Sequence, residues 1–429
     1  MTSSSDLAAR SRAAVWHPCT QMARLADVPP LPIARGEGPW LIGTDGRRYF
    51  DANSSWWVNL FGHSDEKLHN AIKAQLDTLP HVMLAGCTHE PAVRLAERLS
   101  ARTGGALGHV FFGSDGASAV EIALKQSFHC WKNRGLADKR EFVCLKNSYH
   151  GETLGALSVT DVQVFRDAYD PLLMRAHIVA SPDSRLNNEA EALAAMRALL
   201  AERHASIATV IVEPLIQGAA GMVMYSPSYL KGLRELTREF GVHLIADEIA
   251  VGCGRTGTFF AWEQTQAEWP DFILLSKGIT GGTLPLSLVL TTDDVFAAFW
   301  SEDVTRGFLH SHSYTGNPLA CAAANAVLDR FDAGQLLANQ AQAERLTRAF
   351  APLTSRITHL RQRGMILAFD VPEAPPRFAE AFHLAARTHE LLIRPIGSTV
   401  YLMPPYLIDD ATAAFLAGAV TATLNDVLA

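Results

Sequence analysis

The chain has 429 residues, 48% of them hydrophobic and 19% charged, which is ordinary for a soluble globular enzyme and long enough for more than one domain. The formal net charge of −7 comes without a long basic run, which argues against nucleic acid as the main partner. The longest apolar stretches are strand-length, so we expect no membrane segment.

The N-terminal segment Met1–Asp6 has neither the charged nor the apolar region of a signal peptide. The cysteines are scattered without close pairs, which favours free thiols in a cytoplasmic protein over disulfides or a zinc site. His310 and His312 are neighbours in sequence, but no carboxylate accompanies them at helical ligand spacing. We therefore expect no metal.

The middle of the chain alternates short apolar runs with helical patterns. Helical periodicity is clear at Val120–Trp131 and at Tyr229–Phe240. The apolar runs predict strands at His109–Phe112, Phe142–Leu145, Ala208–Val212, Val242–Ala246 and Phe272–Leu275. Repeated strand–helix units whose strands are apolar throughout predict an α/β fold with a mostly parallel sheet covered on both faces.

The last hundred or so residues follow a different pattern. Two Ala-rich helical stretches, Pro318–Asp332 and Gln335–Leu353, lead into the apolar runs Ile366–Asp370 and Leu392–Arg394. This pattern predicts a smaller α+β domain. The predicted organisation is an N-terminal segment that packs with the small domain, a large domain and the small domain, at residues 1–55, 56–325 and 326–429.

Polar side chains follow four of the predicted strands, at Ser114-Asp115, Glu213, Asp247 and Lys277. Ligands of open α/β sheets bind beyond the carboxyl ends of the strands. A lysine amine can form a Schiff base with an aldehyde, and a carboxylate can keep a pyridine nitrogen protonated, as a pyridoxal cofactor requires. Each residue alone could be a solvated strand end, but the four together predict a site.

The segment Ser114–Ser118 opens the helix after the first of these strands. Free N–H groups at a helix N-terminus, beside small residues, can bind a phosphate. We assign that contact to the backbone N–H groups of Gly116 and Ala117, because the carboxylate of Asp115 would repel an anion. The alternative is a helix N-cap formed by Ser114 or Asp115.

A competing motif, Gly252–Gly257, matches the G-x-G-x-x-G pattern of dinucleotide-binding proteins. Several residues separate it from the preceding apolar run, and Phe259–Trp262 offers no clear helix N-terminus for a pyrophosphate. A glycine-rich turn is the better interpretation. An NAD-dependent dehydrogenase stays a remote alternative.

The chain resembles the class III aminotransferases of PLP fold type I along nearly its whole length. The matching motifs occur in the family's order, at Ile245–Ile249, Gly252–Gly257, Leu275–Gly278 and Gly316–Ala320. The resemblance implies a fold type I PLP-transferase, an aminotransferase activity, pyridoxal 5'-phosphate as cofactor and a homodimer with shared active sites.

A narrower resemblance is to the branch of this family that acts in biotin biosynthesis. It implies conversion of 8-amino-7-oxononanoate to 7,8-diaminononanoate, with S-adenosyl-L-methionine or lysine as amino donor. Ala250 agrees with this branch, since many ω-amino acid aminotransferases have a glutamine there. The alternative is another class III enzyme that acts on a diamine or an ω-amino acid. The motifs of the narrower resemblance are Trp16–Thr20, Ser54–Trp57, His81–Met83, Thr88-His89, Tyr149–Thr153, Arg394-Pro395 and Tyr401–Tyr406.

The resemblance also implies roles for single residues. Lys277 would carry the cofactor and move the proton, Asp247 would pair with the ring nitrogen, and Tyr149 would stack on the ring. The phosphate would be bound by the loop of Asp115, Gly116 and Ala117, together with His312 and Ser313 of the neighbouring subunit. The substrate pocket would be lined by Cys19, Trp56, Tyr149, Lys277, Ser311, Arg394 and Tyr401.

Arg394 suits the carboxylate at the far end of the keto acid, because a planar guanidinium binds a carboxylate with two hydrogen bonds. Three positions depart from better-known members of the family: Cys19 replaces a tyrosine, Asp115 a serine and Ser313 a threonine. A thiol is shorter than a phenol and a weaker donor. Cys19 therefore leaves the recognition of the amino donor open.

Overall fold

The computed structural model describes residues 4–429, so the first positions of the segment Met1–Asp6 lie outside the described residues. The chain divides into two compact units. The central unit is Lys67–Leu337, and the terminal unit combines the described part of Met1–Glu66 with Ala338–Ala429. The domain boundaries after residues 55 and 325 stay a prediction.

The described helices are α1 (Ser4–Ala14), α2 (Ser54–Trp57), α3 (Glu66–Thr78), α4 (Glu90–Arg102), α5 (Gly116–Asn133), α6 (Leu154–Ser158), α7 (Gln163–Arg166), α8 (Glu189–Arg203), α9 (Pro227–Glu239), α10 (Asp293–Ala297), α11 (Pro318–Asp332), α12 (Gln335–Phe350), α13 (Phe378–Ala386) and α14 (Asp410–Leu428). The described strands are β1 (Ile33–Glu37), β2 (Trp40–Gly43), β3 (Arg48–Asp51), β4 (His109–Gly113), β5 (Glu141–Leu145), β6 (His177–Val179), β7 (Ile207–Val212), β8 (Ile216–Gln217), β9 (Val223–Met224), β10 (His243–Asp247), β11 (Phe272–Leu275), β12 (Ser287–Thr291), β13 (Thr358–Arg363), β14 (Ile366–Asp370), β15 (Leu391–Leu392) and β16 (Thr399–Leu402).

The central unit is built on a seven-stranded sheet in the order β4-β12-β11-β10-β7-β5-β6. β11, β10, β7 and β5 are neighbours and run parallel, whereas β12 is antiparallel to both β11 and β4. Every residue of β7, β10, β11 and β12 is buried. The α/β fold with a mostly parallel sheet is therefore confirmed, and β12 is a strand that the sequence did not predict.

The helix α5 packs on this sheet because one of its faces is apolar. Val120, Leu124 and Trp131, which the sequence placed on a common face, are all buried. They belong to one core cluster with side chains of β10, β11 and β12, among them Ile245, Leu274 and Val289. This packing fixes the start of α5 against the carboxyl ends of the strands.

The terminal unit contains a four-stranded sheet in the order β1-β2-β3-β15 and an antiparallel three-stranded sheet in the order β13-β14-β16. β15 pairs in parallel with β3, through Leu391 with Phe50 and Leu392 with Asp51. The sequence predicted a strand at Leu392–Arg394, but β15 ends at Leu392. Pro395 follows soon after and cannot donate a ladder hydrogen bond.

The helix α14 differs from the expectation that apolar stretches are only strand-length. By length and composition it alone among the described helices could cross a membrane. Its most apolar 18-residue stretch has a mean hydropathy of 1.3, and 39% of that stretch is buried. A core helix of a soluble protein meets the same criteria, so this is weak evidence for a span. α14 also packs against α13 and buries Leu416 and Val420.

Candidate active site

Three adjacent parallel strands of the central unit end in charged side chains. Asp247 ends β10, Glu213 follows β7, and Lys277 lies two positions beyond β11. The carboxylates are 4% and 5% exposed, and both their charges act on the lysine amine. Burial nevertheless lowers the pKa of Lys277 to about 8, from an ordinary 10.5. The structure thus brings together three of the four strand ends that the sequence singled out.

Lys277 has a strained backbone. Its φ is +46°, in the left-handed region that residues other than glycine avoid, while Ser276 before it is extended. The hydroxyl of Ser276 donates to the carbonyl oxygen of Leu286 at 2.8 Å, which anchors the turn to the following segment. Backbone strain of this kind persists where the surroundings fix it, and it is concentrated at functional sites.

Asp247 is oriented by a buried histidine. The Nδ1 of His150 lies 2.7 Å from Oδ2 of Asp247, and the backbone N–H of Ile249 donates to Oδ1 at 3.1 Å. A carboxylate only accepts, so Nδ1 carries the proton. His150 has 0% side-chain exposure, and its Nε2 has no hydrogen-bond partner among the described residues. In the sequence, His150 is notable only as part of the motif Tyr149–Thr153. The contact between His150 and Asp247 could not be predicted from that motif.

Glu213 accepts hydrogen bonds from the backbone N–H groups of Tyr149 at 3.3 Å and Gly218 at 3.2 Å. Burial, with the nearby charge of Asp247, raises its pKa to about 8. The raised pKa favours the neutral form of Glu213, so Asp247 is the stronger of the two anions that act on Lys277. The hydroxyl of Tyr149 donates to Glu152 at 2.9 Å, so the ring of Tyr149 is held beside these groups at both ends.

The start of α5 has the features of an anion site. Asp115 is the N-cap, and its carboxylate accepts from the N–H and the hydroxyl of Ser118, each at 2.9 Å. The N-cap alternative considered above is thus confirmed for Asp115. The N–H groups of Gly116 and Ala117 have no acceptor in the described part of the chain, as expected in a first helical turn. These two N–H groups remain available for a phosphate.

Gly151 packs the loop that carries Tyr149 and His150 onto this helix start. Its φ is +122°, and a Cβ added there would lie 2.7 Å from the Cβ of Ala117. Only glycine allows this approach without displacement. The residues proposed for the ring and those proposed for the phosphate are therefore held together by direct contact.

His312 lies beside the same helix start. Its Nδ1 is 3.1 Å from the hydroxyl of Ser114, its Nε2 is 3.2 Å from Nε2 of His310, and Nδ1 of His310 is 2.9 Å from the ammonium of Lys125. These contacts are within one chain. The prediction that His312 and Ser313 reach a neighbouring subunit stays a prediction, as does the pocket role of Ser311, which is exposed.

Across residues 6–429, no group of three or more His, Cys, Asp and Glu could hold a metal ion.

The glycine-rich loop Gly252–Gly257 does not begin an α-helix. It leads into a short 3-10 turn at Ala261–Thr265. The N–H groups of Ala261 and Trp262 donate to the carboxylate of Glu248, at 2.6 and 2.7 Å. No helix N-terminus is left for a pyrophosphate, so the structure disfavours a dinucleotide site here.

The terminal unit contains a cavity of about 440 Å³ whose lining includes Cys19, Trp56 and Arg394. The guanidinium of Arg394 lies 5.4 Å from the ring centroid of Trp56, and its backbone N–H donates to Oδ1 of Asn53 at 2.7 Å. Among the described residues, no carboxylate pairs with Arg394. Its charge is thus available to a ligand carboxylate.

Tyr401 is not among the described residues that line this cavity. It is 5% exposed, its hydroxyl accepts from Nε1 of Trp57 at 3.0 Å, and burial raises its pKa to about 12. Its contact with substrate stays a prediction. The sequence missed His383 and Arg387, which line the cavity and contact each other at 2.7 Å. Nothing in their local sequence distinguishes them from ordinary helix-end residues.

The chain is similar to known aminotransferases in sequence and in fold. The family model Aminotransferase class-III matches residues 21–424. A Helicobacter pylori protein named adenosylmethionine-8-amino-7-oxononanoate aminotransferase is 42% identical over 415 residues, with 94% of each chain covered. The crystal structure of a Methanocaldococcus jannaschii protein of the same name is 34% identical, with a TM-score of 0.93 over 98% of this chain and 99% of that one. A PLP-bound amine transaminase from an uncultivated Pseudomonas species is 29% identical, with a TM-score of 0.90 over 96% and 99% of the two chains.

The predicted resemblance and the predicted fold type I architecture are therefore confirmed. The family model spans most of the chain, and relatives well above 30% identity align over nearly all of it. This chain belongs to the class III aminotransferase family.

Proposed function

We propose that this protein is a pyridoxal 5'-phosphate-dependent aminotransferase that converts 8-amino-7-oxononanoate to 7,8-diaminononanoate in biotin biosynthesis. S-Adenosyl-L-methionine is the proposed amino donor, as the names of the relatives indicate for those proteins. The observation that carries the proposal is the group of Lys277, Asp247 and Glu213 at three neighbouring strand ends.

The central unit offers partners for each part of the cofactor. Asp247, oriented by His150, is suited to pair with the ring nitrogen. The N–H groups of Gly116 and Ala117 are suited to the phosphate, and the amine of Lys277 to the aldehyde. When bound, pyridoxal phosphate supplies an electron sink for the negative charge that remains after a proton leaves the carbon bearing the amine.

The proton transfer is assigned to Nζ of Lys277. An ordinary lysine is almost entirely protonated at neutral pH and is a poor base there. Because burial lowers the pKa of Lys277 to about 8, a useful fraction of its amine is neutral near physiological pH. The neutral Nζ can take a proton from the substrate carbon and deliver it again, while the anion of Asp247 stays fixed by its two donors.

The cavity of the terminal unit is assigned to the substrate. The guanidinium of Arg394 is suited to the carboxylate of the keto acid, and the half-exposed ring of Trp56 to its aliphatic chain. Cys19 in the same lining is assigned to the amino-donor side. We further infer a cytoplasmic homodimer in which His312 and Ser313 contribute to the neighbouring subunit's phosphate site.

The half-reaction tests this function. The holoenzyme is mixed with S-adenosyl-L-methionine, lysine or 4-aminobutyrate, and the visible absorbance of the bound cofactor is followed. The expected result is bleaching by S-adenosyl-L-methionine, then recovery and formation of the diamine after 8-amino-7-oxononanoate is added. Bleaching by 4-aminobutyrate alone would support the alternative class III activity.

The substitution Lys277→Ala should abolish turnover in this assay, because it removes both the amine and the proton carrier. Lys231→Ala, at an exposed lysine of α9, is the matched control and should leave turnover unchanged. Full activity of Lys277→Ala with both natural substrates would show that the site is assigned wrongly.

A further inference from the structure

The single turn α2 is left-handed. Ser54, Ser55, Trp56 and Trp57 have φ values of +50°, +47°, +76° and +73°. Each such residue is disfavoured because its Cβ approaches a carbonyl oxygen too closely, and runs of them are rare. The turn still closes a hydrogen bond from the N–H of Trp57 to the carbonyl of Asn53 at 2.8 Å. Contacts from outside the turn must therefore hold it in this form.

Asp51, at the end of β3, supplies contacts of this kind. It is 1% exposed. Its Oδ1 accepts from the backbone N–H of Ser55 at 2.9 Å, and its Oδ2 accepts from the hydroxyl of Ser55 at 2.6 Å. The carboxylate thus holds the residue that precedes Trp56 by two hydrogen bonds.

His63 fixes the orientation of Asp51. The hydrogen-bond partners of His63 define which of its ring nitrogens carries the proton. Oδ1 of Asn59 accepts from the N–H of Gly62 at 2.7 Å, so the amide nitrogen of Asn59 donates to Nδ1 of His63 at 3.1 Å. The proton of the neutral imidazole is then on Nε2, which donates to Oδ2 of Asp51 at 3.0 Å. Every link from Gly62 to Asp51 has one defined direction.

The same turn is tied by hydrogen bonds to the segments that carry Arg394, Tyr401 and Met403. Oδ1 of Asn53 accepts from the N–H of Arg394 at 2.7 Å, and its amide donates to the carbonyl of Tyr401 at 3.1 Å. The hydroxyl of Ser54 donates to the carbonyl of Met403 at 2.7 Å. The position of Trp56 against the guanidinium of Arg394 therefore depends on the conformation of this turn.

We propose that Asp51 is a positioning residue for substrate recognition: its carboxylate, oriented by His63, holds the left-handed turn that places Trp56 beside Arg394 in the cavity. The proposal deepens the proposed function and rests on it for the identity of the substrate. Asp51 acts through Trp56, and its contribution belongs to the binding of the carboxylate-bearing keto acid, not to the proton transfer.

The substitution Asp51→Asn tests this because the network has no tolerance for an added donor. An amide NH₂ facing His63 meets the N–H of Nε2. If the imidazole proton moves to Nδ1, the N–H of Nδ1 faces the amide NH₂ of Asn59. If the side-chain amide of Asn59 is then flipped, its NH₂ faces the backbone N–H of Gly62. Turning the new amide over places its NH₂ against the N–H of Ser55. One mismatched pair of donors remains in every arrangement.

The experiment is a double-mutant cycle of Asp51→Asn and Trp56→Phe on the holoenzyme. Asp51→Asn should raise KM for 8-amino-7-oxononanoate about tenfold, which corresponds to about 1.4 kcal/mol, and change kcat less than about threefold. In the Trp56→Phe background the same substitution should have little further effect, because residues that act as a unit are not additive. Asp45→Asn, on the exposed β2–β3 hairpin, is the matched control and should change neither parameter.

A second readout does not depend on the reaction. The fluorescence of Trp56 is obtained by subtracting the signal of the protein with Trp56→Phe from that of the matching protein without it. Quenching of this fluorescence by acrylamide should be stronger in Asp51→Asn than in the wild type. Ser55→Ala removes only one of the two hydrogen bonds to Asp51 and should give a smaller change of the same sign.

The positioning role would be overturned if Asp51→Asn and Trp56→Phe had additive effects on KM and Asp51→Asn left the quenching unchanged. An equal loss of kcat and kcat/KM in Asp51→Asn would also overturn it. If the wild-type protein does not transaminate the keto acid, the proposed function fails, while quenching still decides the role of Asp51.

Discussion

The contact between Gly151 and the start of α5 gives a prediction whose size can be worked from the structure. In Gly151→Ala, the new methyl group would lie 2.7 Å from Cβ of Ala117 and 3.3 Å from Cβ of Ala156, at a φ of +122°. Gly135→Ala is the matched control, because Gly135 also has a positive φ, +80°, but a Cβ there meets nothing within 4 Å.

The expected destabilisation differs between the two substitutions. An L-residue in this half of the Ramachandran map costs about 1–2 kcal/mol at either position. Crowding in a packed region adds about 1–3 kcal/mol, and only at Gly151. Gly151→Ala should therefore lower the free energy of unfolding by about 3.5 kcal/mol, and Gly135→Ala by about 1.5 kcal/mol.

Urea unfolding of the cofactor-free proteins measures these free energies, and titration with pyridoxal phosphate measures the affinity. Gly151→Ala should also weaken cofactor binding, since Tyr149 and His150 move with it, whereas Gly135→Ala should not. Adding Ala117→Gly should recover part of the loss. Equal destabilisation by both glycine substitutions, with unchanged cofactor affinity, would refute the reasoning.

Two further predictions concern the charged groups. Asp247→Asn removes the anion that His150 orients and should slow turnover on the order of 10³-fold, measured as kcat at saturating cofactor; a loss below about tenfold would contradict its assignment. Because Lys277 has a pKa of about 8 in the folded protein and 10.5 ordinarily, the unfolded chain binds the extra proton between these values. Lys277 should then contribute a rise of about 3 kcal/mol to the free energy of unfolding of the cofactor-free protein from pH 8 to pH 10.5, so the rise measured in Lys277→Met should be smaller than that of the wild type by this amount.

The sequence alone determined which strands are followed by side chains suited to catalysis. Apolar runs of strand length fixed the elements, and the carboxyl ends of parallel strands lie at one edge of a sheet, so Asp247 and Lys277 could be expected to meet. Helix-start residues such as Asp115 were similarly open to local reasoning, because capping involves only nearby backbone. The antiparallel β12 was not foreseen, since strand direction depends on the pairing partner.

Only the tertiary structure decided how the site residues are held. His150 contacts Asp247 across 97 positions of the chain, and Arg394 donates to Asn53 across 341. The left-handed turn at Trp56 contradicts the local preference of its residues. It exists because the hydrogen bonds that Asp51 makes with the turn, and those that Asn53 and Ser54 make with distant segments, outweigh that preference. Local sequence encodes propensity and periodicity, whereas hydrogen bonds between distant segments form only after the chain has folded.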